Sequence, residues 1–143
     1  MPFAWLEDAV TSDVTFHAWG ATLDAAFAAA VDATTAAMVA DLDAVRAVER
    51  RAVAVEADAL DLLLLRLLDD VIFLKDTASL LLRAESLRVE AAALPYRASG
   101  TLLGEPIDRV RHEMVADVKA VTWYGLRVEH TAGEWHVHAT LDV

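Results

Sequence analysis

A chain of 143 residues is the size of one domain and can bury a core without covalent staples. Apolar residues form 57% of it, too many for a disordered chain, and the absence of cysteine excludes a disulfide framework, a thiolate metal site and a cysteine nucleophile. The formal net charge of -11 opposes a phosphate backbone, so no direct binding of nucleic acid is expected.

The opening residues Met1 to Asp8 have neither the basic segment nor the apolar stretch of a secretory signal. The most apolar run, Leu60 to Leu74, contains Asp61, Arg66, Asp69 and Asp70, charges that are costly at the centre of a bilayer. A cytoplasmic protein without a membrane segment is expected, organised as a single domain over residues 1–143.

Val14 to Trp19 alternates, with Val14, Phe16 and Ala18 on one face and Thr15, His17 and Trp19 on the other, which predicts a half-buried strand ended by Gly20. Thr22 then caps a helix with Asp24 in its first turn and an apolar stripe through Leu23, Phe27, Val31 and Met38, running to about Ala40. Ala47 to Glu56 reads as a second strand. Asp58 is the expected cap of a second helix carrying Leu63, Leu64, Leu67, Val71 and Leu74, apolar nearly all round and so covered on most sides.

Beyond Thr77, short strands are predicted at Leu80 to Arg83, Leu87 to Leu94 and Tyr96 to Leu103, followed by the turn residues Gly104-Glu105-Pro106-Ile107-Asp108. A long hairpin closes the sequence, with arms Val118 to His130 and Glu134 to Asp142 joined by Thr131-Ala132-Gly133. Helices and strands do not alternate regularly. The pattern therefore favours an α+β fold, with two helices packed on a mostly antiparallel sheet.

Three groups of residues have chemical potential. His136 and His138 share a strand face with Thr140 and Asp142, and two imidazoles at i and i+2 suit a first-row metal, although a solvated strand face is the plainer explanation. Asp13 opens the first predicted strand and Asp142 closes the last; if the two strands are antiparallel neighbours, their carboxylates meet, a hard-oxygen set for calcium, magnesium or manganese. Arg109, Arg111 and His112 form the one basic cluster, which reads as a solvated loop. No phosphate-binding glycine loop, nucleophile elbow or His-Glu-x-x-His spacing is present.

The segment Asp117-Val118-Lys119-Ala120-Val121-Thr122-Trp123-Tyr124-Gly125-Leu126-Arg127-Val128 is similar to the Lys-Ala-Val-Thr-aromatic-x-Gly-Leu signature of the archease family. Thr11-Ser12-Asp13 before the first strand, Ala18-Trp19-Gly20, Gly104-Glu105-Pro106, Arg111-His112-Glu113 and the closing Leu141-Asp142-Val143 follow in the family's order, so the resemblance spans nearly the whole chain. Two positions depart from it: the family's Glu-His-Thr-Ala-Asp motif is replaced by the longer Glu7 to Asp13, and Tyr124 stands where a histidine is common.

The resemblance implies an archease-like fold and an accessory role rather than an enzyme. Such a protein promotes metal-dependent guanylylation and turnover of an RtcB-type RNA-splicing ligase, in tRNA splicing or RNA repair. By matching position it implies a divalent cation (calcium, magnesium or manganese) held by Asp13, Asp142 and the Val143 carboxylate, with Lys119 at the ligase contact or beside the metal. The alternatives are a diverged metal-binding or chaperone-like module that does not activate a ligase, and a small metal-dependent hydrolase built on His136, His138 and Asp142.

Overall fold

The computed structural model describes residues 2–6 and 13–143. Among the described residues, seven strands and two α-helices run in the order β1 (Phe3–Leu6), β2 (Asp13–Gly20), α1 (Leu23–Ala36), β3 (Glu49–Ala57), α2 (Leu60–Ala78), β4 (Leu80–Glu90), β5 (Tyr96–Pro106), β6 (Ala120–Thr131) and β7 (Glu134–Asp142). They form the expected α+β fold, but with two antiparallel sheets where one was predicted. The first sheet has the order β1-β2-β7-β6 and the second β3-β5-β4.

Both helices pack between the sheets. α1 touches β2 and β7 on one side and β4 on the other, and α2 touches β6, β3 and β5. The many alanines of α1 make this possible, since Ala26, Ala29, Ala30 and Ala33 are buried and let strands approach from two directions. α2 supplies bulk through Leu63, Leu64, Leu67 and Leu68, all fully buried.

Local signals explain most element ends, and tertiary contacts move the rest. Thr22 caps α1 as expected, its side chain accepting from the Ala25 N–H at 3.1 Å. The helix stops at Ala36, short of Ala40, because the next residues bond to a distant loop: Ala40 N–H donates to the Glu113 carbonyl at 2.9 Å and Val115 N–H to the Met38 carbonyl at 2.9 Å. The N-cap of α2 is Ala59, not Asp58, and it has no side-chain cap. The predicted strands at Leu80 and Leu87 are one strand, β4, whose register shifts between Ala84 and Ser86. β1 was not foreseen; its four residues are too few to show a period.

The sequence Gly104-Glu105-Pro106 ends β5 at the most constrained point of the second sheet. A Cβ on Gly104 would lie 1.7 Å from the Leu81 carbonyl oxygen, so only glycine fits between β3 and β4 there. Glu105 is buried and accepts the Arg46 N–H at 2.6 Å. It also accepts from Arg111, and from His112 Nε2 at 3.1 Å. His112 Nδ1 accepts the Asp108 N–H, which leaves the Nε2 proton facing Glu105. The expectation of a solvated basic loop is corrected: two of its members, Arg111 and His112, hold a buried carboxylate, and the loop is pinned to the core.

Burial pushes the Glu105 carboxyl up, but the hydrogen bonds from Arg111, the Arg46 amide and His112, with the Arg111 charge, outweigh it and hold the pKa down at about 2. A carboxylate depressed in the folded state contributes stability that is complete above its unfolded pKa and lost as pH falls. Denaturation in urea should therefore show stability declining from about pH 4.5 toward pH 2 through this group. Glu105→Gln should lack that decline and lose about 3 kcal/mol at neutral pH, because Arg111 is left without its counter-charge.

Candidate functional site

The first sheet presents one continuous outer face, opposite the one that packs on α1. Cross-strand register divides it into rows. Asp13 of β2 lies directly opposite Asp142 of β7, and Ala120 of β6 lies opposite Asp142 on the other side. Thr15, Thr140 and Thr122 form the next row, with the Thr15 and Thr140 hydroxyls 3.0 Å apart. Then come His17, His138 and Arg127, and finally Trp19, His136 and Glu129.

β2 and β7 are thus antiparallel neighbours, and the two carboxylates singled out from the sequence are brought together. Like charges directly opposite each other, with Cβ atoms about 5 Å apart, destabilise a strand pair. No ion pair among the described residues offsets either charge. Nor do three acidic or histidine side chains converge as a metal-ligand set anywhere among the described residues. Two hard oxygen donors with no counter-charge fit a calcium, magnesium or manganese ion that takes its remaining donors from main-chain oxygens and water. Val143 adjoins Asp142 and packs on the core. Glu7 to Ser12, the altered first motif, lies outside the described residues.

Lys119 is exposed and immediately precedes β6. Its N–H donates to the Asp142 carbonyl at 2.8 Å, which places its backbone at the acidic row. The residues before it are anchored by Lys75 of α2, a lysine that sequence reading missed. Its Nζ, almost fully buried, donates to the Val118 carbonyl at 2.7 Å and to Asp117 at 2.5 Å, and it pairs with Asp76 at 2.6 Å. Burial opposes the Lys75 charge, but the bonds and charges of Asp117 and Asp76 outweigh it and raise its pKa. A lone lysine on a leucine-rich helix, at the position where the apolar stripe continues, was the available signal.

β6 departs from β7 between Thr122 and Arg127, where Trp123, Tyr124, Gly125 and Leu126 stand opposite Ala139 alone. Gly125 makes the excursion possible with φ at +68°, a conformation costly for other residues. The detour passes over Thr140, which becomes fully buried, while Trp123 and Tyr124 project with 60% and 62% of their surface exposed.

At the far end of the face, His17 is stacked on His138, ring centres 4.5 Å apart, and its Nε2 lies 2.8 Å from His136 Nδ1. Burial, then the charges of Arg127 and His17, against the opposing Glu129, bring the His138 pKa down to about 4. Burial, His136 and Arg127 lower that of His17. His138 and Asp142 are four residue steps apart along β7, about 13 Å, so the histidines lie away from the acidic row. A hydrolase site using all three is not assembled.

The comparisons agree with this architecture. The model of the archease protein family (MTH1598/TM1083) matches residues 3–143. The chain belongs to the archease family. The archease of Thermococcus gammatolerans is 32% identical over 134 residues, covering 93% of this chain and 94% of that protein. That of Methanopyrus kandleri is 30% identical over 141 residues, covering 97% and 99%. The solution structure of protein 1598 of Methanobacterium thermoautotrophicum superposes with a TM-score of 0.84 at 29% identity, covering 99% of each chain. A crystal structure described as an archease and possible chaperone from Thermotoga maritima shares the fold, with a TM-score of 0.54 at 11% identity.

Within this archease, the signature segment is the β6 excursion together with the start of β6 and the residues that lead into it. Its lysine and the carboxylates of Asp13 and Asp142 therefore lie at one end of the strands of one sheet. A site that opposes like charges should cost stability when no cation is present. Asp142→Asn, measured in urea with a chelator at low ionic strength, should be more stable than the parent by about 0.5 kcal/mol. A loss would show that Asp142 has a favourable partner within the fold.

Proposed function

We propose that this archease is an accessory protein, not itself an enzyme, that activates an RtcB-type RNA-splicing ligase. It would promote the ligase's metal-dependent guanylylation and turnover, in tRNA splicing or RNA repair. The observation that carries the reading is the placement, in an archease chain, of Asp13 opposite Asp142 with the Lys119 amide bonded to the Asp142 carbonyl. Asp13, Asp142 and the Val143 carboxylate would hold a calcium, magnesium or manganese ion. When bound, the ion supplies positive charge that offsets charge on a transferring phosphoryl group.

The chain's own residues do the positioning. β2 and β7 are central strands of the first sheet, so the two carboxylates sit on rigid backbone, as a site must to present an ion at fixed geometry. Lys75 fixes the entry to β6 and thereby the Lys119 backbone, while the exposed Lys119 ammonium, Trp123 and Tyr124 offer a charged and aromatic contact surface to a protein partner. The charge of -11 disfavours competition by the ligase's RNA for this surface.

Purified ligase incubated with GTP and manganese should accumulate more guanylylated protein when the archease is added. Asp142→Ala should abolish that gain, and Lys119→Ala should reduce it without altering ion affinity. No gain from the intact chain, with ion binding retained, would instead mark a metal-binding or chaperone-like module with another partner.

A further inference from the structure

The outer face carries a second cluster that the accessory function does not use. His17 of β2 and His136 of β7 stand one row out of register, and the diagonal brings His17 Nε2 to 2.8 Å from His136 Nδ1. Sequence spacing pointed to His136 and His138 as the pair with a common target, because they share a strand face. The structure selects a different pair. His138 lies parallel to His17, at 4°, and its Nδ1 faces the Arg127 guanidinium at 3.3 Å, so it stacks on the pair without converging on it.

Two imidazole nitrogens that bind one tetrahedral ion at about 2.05 Å stand about 3.3 Å apart. The observed 2.8 Å is a hydrogen bond, and it opens to ligand spacing by about half an ångström. One of the two nitrogens carries the proton of that bond. Moving this proton to the far nitrogen of the same ring leaves both facing lone pairs free, with no proton lost and no charge buried.

We propose that His17 Nε2 and His136 Nδ1 form a two-imidazole site for a borderline first-row ion such as zinc, nickel or copper. Imidazole donors suit these ions and not calcium or magnesium, so the site is chemically distinct from the carboxylate row. No third histidine or carboxylate converges on the pair among the described residues, so water or a donor from a partner completes the coordination. The surroundings of the pair are mixed. Trp19 lies 5.0 Å from His17, Ala4 of β1 flanks His17, and Arg127 and Glu129 of β6 flank His138 and His136. Burial and the nearby Arg127 keep His17 below its usual pKa, the state in which the ring offers a lone pair. The proposal stands independently of ligase activation.

The test is zinc binding followed on two readouts. Calorimetry on the Asp13→Asn/Asp142→Asn variant, which lacks the carboxylate row, should show one equivalent of zinc bound. Adding His17→Gln or His136→Gln should weaken binding by roughly tenfold or more, whereas His138→Gln should leave it nearly unchanged. In the intact chain, nitrogen-15 spectra of the imidazole rings should show His17 Nε2 and His136 Nδ1 shifting to metal-bound values with added zinc. Binding lost in the double-aspartate variant, or ring shifts confined to His112, His130 or His138, would overturn the assignment. The spectra also decide the matter if a glutamine variant fails to fold.

Discussion

The antiparallel register between β2 and β7 joins the beginning and end of the chain, and the site and the core both follow from it. Pairing Asp13 with Asp142 sets every row that follows: threonine on threonine, histidine on histidine, then Trp19 on His136. On the opposite face the same register buries Phe16, Ala18, Val137, Ala139 and Leu141. A slip by one residue would turn those apolar side chains to solvent and the aspartates to the core. Hydrophobic burial therefore holds two like charges together, at a cost that a bound cation would relieve.

The remainder of the fold keeps this sheet in place. α1 and α2 fill the space between the sheets, and the second sheet closes over them at Gly104, where β3, β4 and β5 come too close for a side chain. Glu105 then ties the segment after β5 to the core through Arg111, His112 and the Arg46 amide. From there the chain reaches Lys75, which fixes Val118 and so the start of β6. Two buried polar anchors, one carboxylate and one ammonium, thus position the signature segment at the acidic row.

Much of this was legible in the sequence wherever the signal is local. Alternation revealed β2 and β7, Thr22 marked the start of α1, and Ala132 and Gly133, both at positive φ, close the final hairpin where it was expected. What escaped depends on residues far apart in the chain. Arg111 and His112 look solvated until the turn folds them onto Glu105. The end of α1 is decided by backbone bonds to Glu113 and Met38's partner Val115. His17 and His136 are separated by 119 residues and meet only through the register that also pairs the aspartates. The carboxylate pair was visible as a possibility of topology, and the family resemblance singled it out among many acidic residues.

The central claim is that one cation site is created by the meeting of β2, β7 and the start of β6. Paramagnetic broadening of backbone amide signals by substoichiometric manganese tests it most directly. The account predicts that Asp13, Asp142, Val143, Lys119 and Ala120 broaden first and together, while Glu56, Asp69 and Asp70, acidic positions elsewhere on the surface, keep sharp signals. Broadening spread evenly over the acidic surface, with no preference for that row, would contradict it.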